Sequence, residues 1–318
     1  MTDVTDPAPG PIERSGRRRT GRPTVGTTTR VTAGSTLLRV EDLHTSFDMP
    51  FGEVKAVNGV SFTLDHGRTL GIVGESGSGK TVLVRSIMRL NLGSTVTTTG
   101  TVEFNGRELL GIPIREMQDL WGPELAMVFQ DPMTSLNPLV RVSRQVTEHL
   151  HRHLGVNRDQ ARQTALELMR EVQIPEPEAR LRAFPHELSG GMRQRVCIAI
   201  ALACEPTLLF ADEPTTALDV TVQHQILNLL GREKQEREMT MVLVTHDLGV
   251  VAGRTDDTMV MYAGKVVEQA PTPTLFAEMR HPYSEALLRS IPRIGQPSHT
   301  RLTAITVRPP DPVNLPAG

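Results

Sequence analysis

Aromatic residues are scarce in this sequence, at 3%. So few disfavour an extended platform on which successive nucleobases of a nucleic acid could stack. An excess of charge of either sign is also missing. A net charge of −2 over 318 residues leaves no electrostatic footprint for nucleic acid. Long apolar runs are absent too: the longest, Val196 to Cys204, is too short to span a bilayer. Cysteine is nearly absent. Cys197 and Cys204 both lie in that run, and buried thiols are expected there rather than a disulfide or a metal pair. No charged-then-apolar signal segment opens the sequence. The expected location is therefore the cytoplasm, with any membrane role arising through partners.

Glycine, by contrast, is concentrated where it carries chemistry. Gly74-Glu75-Ser76-Gly77-Ser78-Gly79-Lys80-Thr81 fits the phosphate-loop pattern, in which a buried strand must precede the loop and a helix must follow. Leu70 to Val73 supplies the strand, and Val82, Leu83, Ile87, Met88 and Leu90 recur at helical spacing after it. The glycines let successive N–H groups point at one centre, and the helix N-terminus adds partial positive charge there. Lys80 can reach the β- and γ-phosphates, and the Thr81 hydroxyl can ligate Mg²⁺. An ordinary glycine turn before a helix is the structural alternative.

Along the chain, residues 1–35 are rich in Pro, Gly, Thr and Arg and read as a disordered basic tail. Alternating strands over 37–64 and 100–104, the latter closed by Asn105-Gly106, predict an antiparallel β layer. Leu125–Phe129 reads as a buried strand ending at Gln130. Strand signals then vanish over 131–189, where helical spacing predicts an inserted subdomain. His149 and His153 there have metal-compatible spacing, but no third ligand completes a set, so a surface helix face is expected. The core resumes with a helix over 190–204, a strand over 207–211, a helix over 221–232, a strand over 241–245 and a closing hairpin over 259–268. Strands alternating with helices predict a mostly parallel sheet covered on both faces. Residues 271–318 form a Pro-rich extension with one helix over 282–290, and no cysteine there suggests a cluster or metal site.

Two further motifs complete the set. Asp212-Glu213 ends an apolar strand, where an acid holds Mg²⁺ in phosphate-loop NTPases and its neighbour can orient the attacking water; capping of the next helix is the alternative role. Ser189-Gly190-Gly191 starts a helix with a hydroxyl and open N–H groups, an anion site. In a chain that already has a phosphate loop, such a site makes sense if it completes another molecule's pocket across a dimer; a plain Ser-Gly-Gly helix cap is the structural alternative.

The phosphate loop, Gln130, Leu188–Gln194, Leu208–Glu213, Ala217-Leu218-Asp219 and His246 together resemble the nucleotide-binding subunit of an ABC transporter, over roughly residues 37 to 318. The resemblance implies an α/β, RecA-like phosphate-loop NTPase core over 36–130 and 190–270 with an antiparallel β subdomain. It also implies an inserted helical subdomain over 131–189 and a C-terminal extension over 271–318. It implies that Gln130 contacts the metal or the lytic water, that Asp219 lies at a dimer seam and that His246 contacts the γ-phosphate. It places Phe51 where an aromatic stacks on adenine, a core Phe being the alternative. The cofactors implied are ATP, held by residues 74–81, Gln130, Ser189, Gly190, Gly191 and Asp219, and Mg²⁺, held by Thr81, Gln130 and Asp212. Glu213, His246, Gln130 and Lys80 are the catalytic candidates.

Phe129–Pro138, Pro185–Leu188, Asp212–Gln223 and His281–Leu288 resemble the oligopeptide, dipeptide and nickel importer subfamily more narrowly. That likeness implies an ATPase energising import, most simply of peptides, with nickel or another small solute as the alternative. A second ATPase subunit (a paralogue or a second copy), two transmembrane permease subunits and, indirectly, an extracytoplasmic solute-binding protein are the implied partners. The implied location is the cytoplasmic face of the membrane. A soluble ABC ATPase of translation or DNA repair is the rival class. It is disfavoured because such chains usually carry two ATPase cores or a long coiled coil.

Overall fold

The computed structural model describes residues 34–216, 218–290 and 313. The expected basic tail and most of the Pro-rich extension lie outside the described residues.

The first strands form a hairpin, β1 (Thr36–Met49) and β2 (Gly52–Asp65), whose alternating burial puts Leu38, Val40, Val60, Phe62 and Leu64 inside. The next elements are β3 (Thr69–Val73), α1 (Lys80–Ile87), β4 (Val96–Phe104) and β5 (Arg107–Glu108). β1, β2, β4 and β5 make a four-stranded antiparallel sheet in the order β2-β1-β4-β5. Asn105 and Gly106 both take positive φ, 48° and 77°, which is what a two-residue hairpin turn needs to match strand twist.

After α2 (Ile114–Leu120) and β6 (Leu125–Val128) the chain turns helical: α3 (Pro132–Ser135), α4 (Val142–Leu154), α5 (Arg158–Glu171) and α6 (Pro177–Arg180). Asn157 starts α5 with a reciprocal cap, its side chain accepting the Gln160 N–H while the Gln160 side chain accepts the Asn157 N–H. Gly155 ends α4 in the left-handed region at φ 60°. The chain continues through α7 (Gly190–Ala201), β7 (Leu208–Asp212), α8 (Val220–Glu236), β8 (Thr240–Thr245) and α9 (Leu248–Val251). It closes with β9 (Asp257–Tyr262), β10 (Lys265–Pro271), α10 (Thr272–Ala277) and α11 (Pro282–Arg289).

The second sheet is six-stranded, ordered β10-β9-β3-β8-β7-β6, parallel except for β10 at one edge. Its central strands are apolar throughout because both faces are covered. Alternation sorts their side chains. Leu208, Phe210, Val242 and Val244 pack with α1 and the antiparallel layer. Leu209, Ala211, Met241 and Leu243 pack with α4, α5, α7 and α8. The parallel strands end together at Val73, Asp212 and Thr245, and the loops that follow them meet at that edge, where α/β sheets bind ligands.

Two expectations need correction. His149 and His153 do not form an outer face: they are half-buried, stacked with ring centroids 6.0 Å apart, and border Gly122. Burial lowers the His149 pKa, and among the described residues no group of three metal-ligating side chains forms. The extension also carries a helix the pattern does not announce, α10, held by buried Leu275.

Candidate functional site

The phosphate loop follows β3 directly. Gly79 sits at φ 99°, and a Cβ there would lie 2.2 Å from the Ala56 carbonyl, so only glycine fits. Lys80 opens α1, buried to 4% exposure, and its Nζ donates to the carbonyls of Gly74 and Glu75, 2.8 Å each. Desolvation lowers its pKa, opposed mainly by the charge of Glu213. The first-turn N–H groups of α1 have no intrahelical acceptor, as at any helix N-terminus.

Asp212 ends β7 with no solvent exposure. Its Oδ1 accepts the Thr81 hydroxyl at 3.0 Å, while its Oδ2 is buried with no hydrogen-bond partner. Burial pushes its carboxyl up. A hydroxyl beside a buried carboxylate with an unused oxygen is an all-oxygen donor set, which fits a small hard dication such as Mg²⁺.

Glu213 is where separate motifs meet. Its Oε2 accepts Gln130 Nε2 at 3.1 Å and the Thr216 hydroxyl at 2.8 Å, and lies 3.2 Å from His246 Nδ1. Its Oε1 is 3.8 Å from Lys80 Nζ. Glu213 has φ 44°, a left-handed conformation that costs a non-glycine residue about 1–3 kcal/mol, and its N–H is fixed to the Val244 carbonyl at 3.0 Å. The backbone is strained where the carboxylate is aimed. Gln130, Lys80 and His246 thus reach one carboxylate from the end of β6, the start of α1 and the end of β8. Thr216 was missed in the sequence; it lies within the Asp212–Gln223 stretch, but its partner is not readable there.

Other candidates stand apart. Ser189 caps α7, accepting the Met192 N–H at 3.3 Å, and Ser189 and Gly190 are exposed. A Cβ on Gly191 would lie 3.0 Å from Val222 of α8, so the signature turn packs closely on that helix. Asp219 caps α8 by accepting the Val222 N–H at 3.0 Å and is exposed. Among the described residues no hydrogen bond or ion pair joins Ser189, Gly190, Gly191 or Asp219 to the phosphate loop. Phe51 lies in the β1–β2 turn, 68% exposed, so it is not a core residue; it has no bond to the loop. Cys197 and Cys204 are buried, their thiols pushed up to about 12 by desolvation.

The ABC transporter family model matches residues 57–216, a span holding the phosphate loop, Gln130, Ser189 and Glu213. The chain belongs to the ABC transporter ATPase family. A second model, the oligopeptide/dipeptide transporter C-terminal region, matches residues 267–318 of this ABC ATPase. It is 49% identical over 283 residues to the oligopeptide transport ATP-binding protein OppD of Bacillus subtilis (strain 168), covering 89% of this chain and 79% of that protein. It is 46% identical over 283 residues to the dipeptide transport ATP-binding protein DppD of Lactococcus lactis subsp. cremoris, covering 89% and 81%. Among solved structures, the dimeric post-hydrolysis state of the ATP-binding cassette MJ0796 bound to ADP and Pi superposes with a TM-score of 0.67 at 27% identity. That superposition covers 74% of this chain and 99% of the other. No helix among the described residues is long and apolar enough to cross a membrane.

Proposed function

We propose that this ABC ATPase hydrolyses ATP to drive peptide uptake through permease subunits, working from the cytoplasmic face of the membrane with a second ATPase subunit. The observation that carries the reading is the convergence of Lys80, Gln130, Thr216 and His246 on Glu213 beside the phosphate loop. The importer assignment and its peptide cargo are supported by the C-terminal region match and by relatives named for oligopeptide and dipeptide transport.

The chemistry follows from the site. Backbone N–H groups of the loop and Lys80 bind the phosphates and neutralise the charge that spreads over the transferring phosphoryl group. Thr81 and Asp212 would hold Mg²⁺, with Gln130 near it; bound there, the ion supplies charge to the phosphate oxygens. Glu213 aligns the attacking water and accepts its proton, with Gln130 and His246 both holding the carboxylate at Oε2. Ser189, Gly190 and Gly191 offer a hydroxyl and helix N-terminal N–H groups to the γ-phosphate held by a second ATPase subunit, with Asp219 at the seam. The exposed ring of Phe51 is available to stack on adenine.

The test is Glu213→Gln in the assembled transporter. Turnover should fall by at least about a hundredfold while ATP still binds, since only the proton acceptor is lost. Near-normal turnover would remove Glu213 from this role.

A further inference from the structure

The C-terminal helix reaches back to the nucleotide site. Tyr283 lies in the first turn of α11, 8% exposed, and packs with Val73, Val260 and Leu275. Its ring lies against Tyr262, centroids 4.5 Å apart. Its hydroxyl accepts the backbone N–H of Glu75, the second residue of the phosphate loop, at 3.0 Å across a separation of 208 residues. Burial pushes the phenol up to about 12, so it stays a neutral hydrogen-bonding group at physiological pH.

The tyrosine is itself held in place. His281 Nδ1 accepts the Tyr283 N–H at 3.2 Å and so caps α11. Glu268, on β10, accepts the N–H groups of Arg280 and His281 at 2.7 and 3.2 Å. The turn between β9 and β10 grips the same loop at a second point: Gly264 N–H donates to the Ser78 carbonyl at 3.0 Å. The Glu75 residue is therefore fastened on both sides, its N–H by Tyr283 and its carbonyl by Lys80. A phosphate loop binds through N–H groups held in one concave arrangement, and affinity depends on that arrangement existing before the ligand arrives.

We propose that Tyr283 is a positioning residue of the nucleotide site, through which the C-terminal region holds the phosphate loop in its phosphate-binding form and so sets the affinity for ATP. This rests on the ATPase function proposed above. The hydroxyl acts through the Glu75 peptide and does not touch the reacting atoms. It should therefore support ground state and transition state alike, which moves KM rather than kcat.

Tyr283→Phe keeps the ring and removes the hydroxyl. In the assembled transporter, the KM for ATP should rise about three- to tenfold, the scale of one lost hydrogen bond with a donor left unpaired, while kcat changes less than about twofold. Tyr262→Phe, which removes a hydroxyl that makes no hydrogen bond among the described residues, should leave KM unchanged, and the melting temperature of Tyr283→Phe should fall only by the few degrees that one lost hydrogen bond costs. Glu268→Gln should raise KM in the same direction by less. In the double variant the effects should combine to less than their product, because both act through one chain of contacts. An unchanged KM in Tyr283→Phe and in Glu268→Gln, with wild-type turnover intact, would overturn this inference alone. A fall in kcat and melting temperature at constant KM would do the same. If the wild-type transporter hydrolysed no ATP, the proposed function would fall and this inference with it.

Discussion

Glu213 shows how much a single side chain can gather. Its carboxylate accepts two hydrogen bonds at one oxygen and faces a lysine with the other, on a backbone held at φ 44°. Such strain persists only where surrounding contacts over-determine it, and here those contacts come from the ends of three other strands or loops. Gly79 is the second residue on which the site turns. Gly79→Ala would force a Cβ toward the Ala56 carbonyl at φ 99°, so the loop must open. The dissociation constant for ATP should rise by roughly 100-fold, the order of a 3 kcal/mol strain, measured with a fluorescent ATP analogue. Wild-type affinity in Gly79→Ala would mean the loop is not built as described.

At the scale of elements, burial on both faces decided what the sequence made legible. β3, β7 and β8 are apolar runs because nothing in them meets water, and each was expected within a residue or two of its place. β1 runs on to Met49, beyond the apolar signals at Leu38–Leu43, through a register shift near Asp42, where φ is 46°. α8 continues to Glu236, four residues past the expected end at residue 232. Its last turn is held by ions rather than apolar periodicity: Glu233, fully buried, accepts from Arg237 Nε at 3.0 Å, and Arg237 also pairs with Glu171 of α5 at 2.8 Å. Glu233→Ala leaves Arg237 without its nearest buried partner on α8. Stability should fall by about 3 kcal/mol, seen as a melting temperature roughly 5–10 °C lower. A shift below about one degree would show that the pair contributes nothing. The site was legible differently. Its motifs stand out one by one, but that Gln130 and His246 meet at Glu213, and that Tyr283 reaches the phosphate loop, depends on contacts far apart in sequence that no local pattern encodes; Thr216 joins Glu213 from only three residues away.

The molecule as a whole carries its candidate site residues in two separate groups. The phosphate loop, Asp212 and Glu213 form one; exposed Ser189, Gly190 and Asp219, with half-buried Gly191, form the other and have no bond to the first among the described residues. Each α7 N-terminus has open N–H groups suited to an anion. In the function proposed above, a second ATPase completes the pocket, and closure of the pair is the step that ATP drives. The direct measurement is the structure of the assembled transporter carrying Glu213→Gln and trapped with ATP. Ser189 Oγ should then lie within hydrogen-bonding distance, about 3 Å, of the γ-phosphate held by the second ATPase. Ser189 turned to solvent in a fully ATP-loaded, closed pair would contradict it.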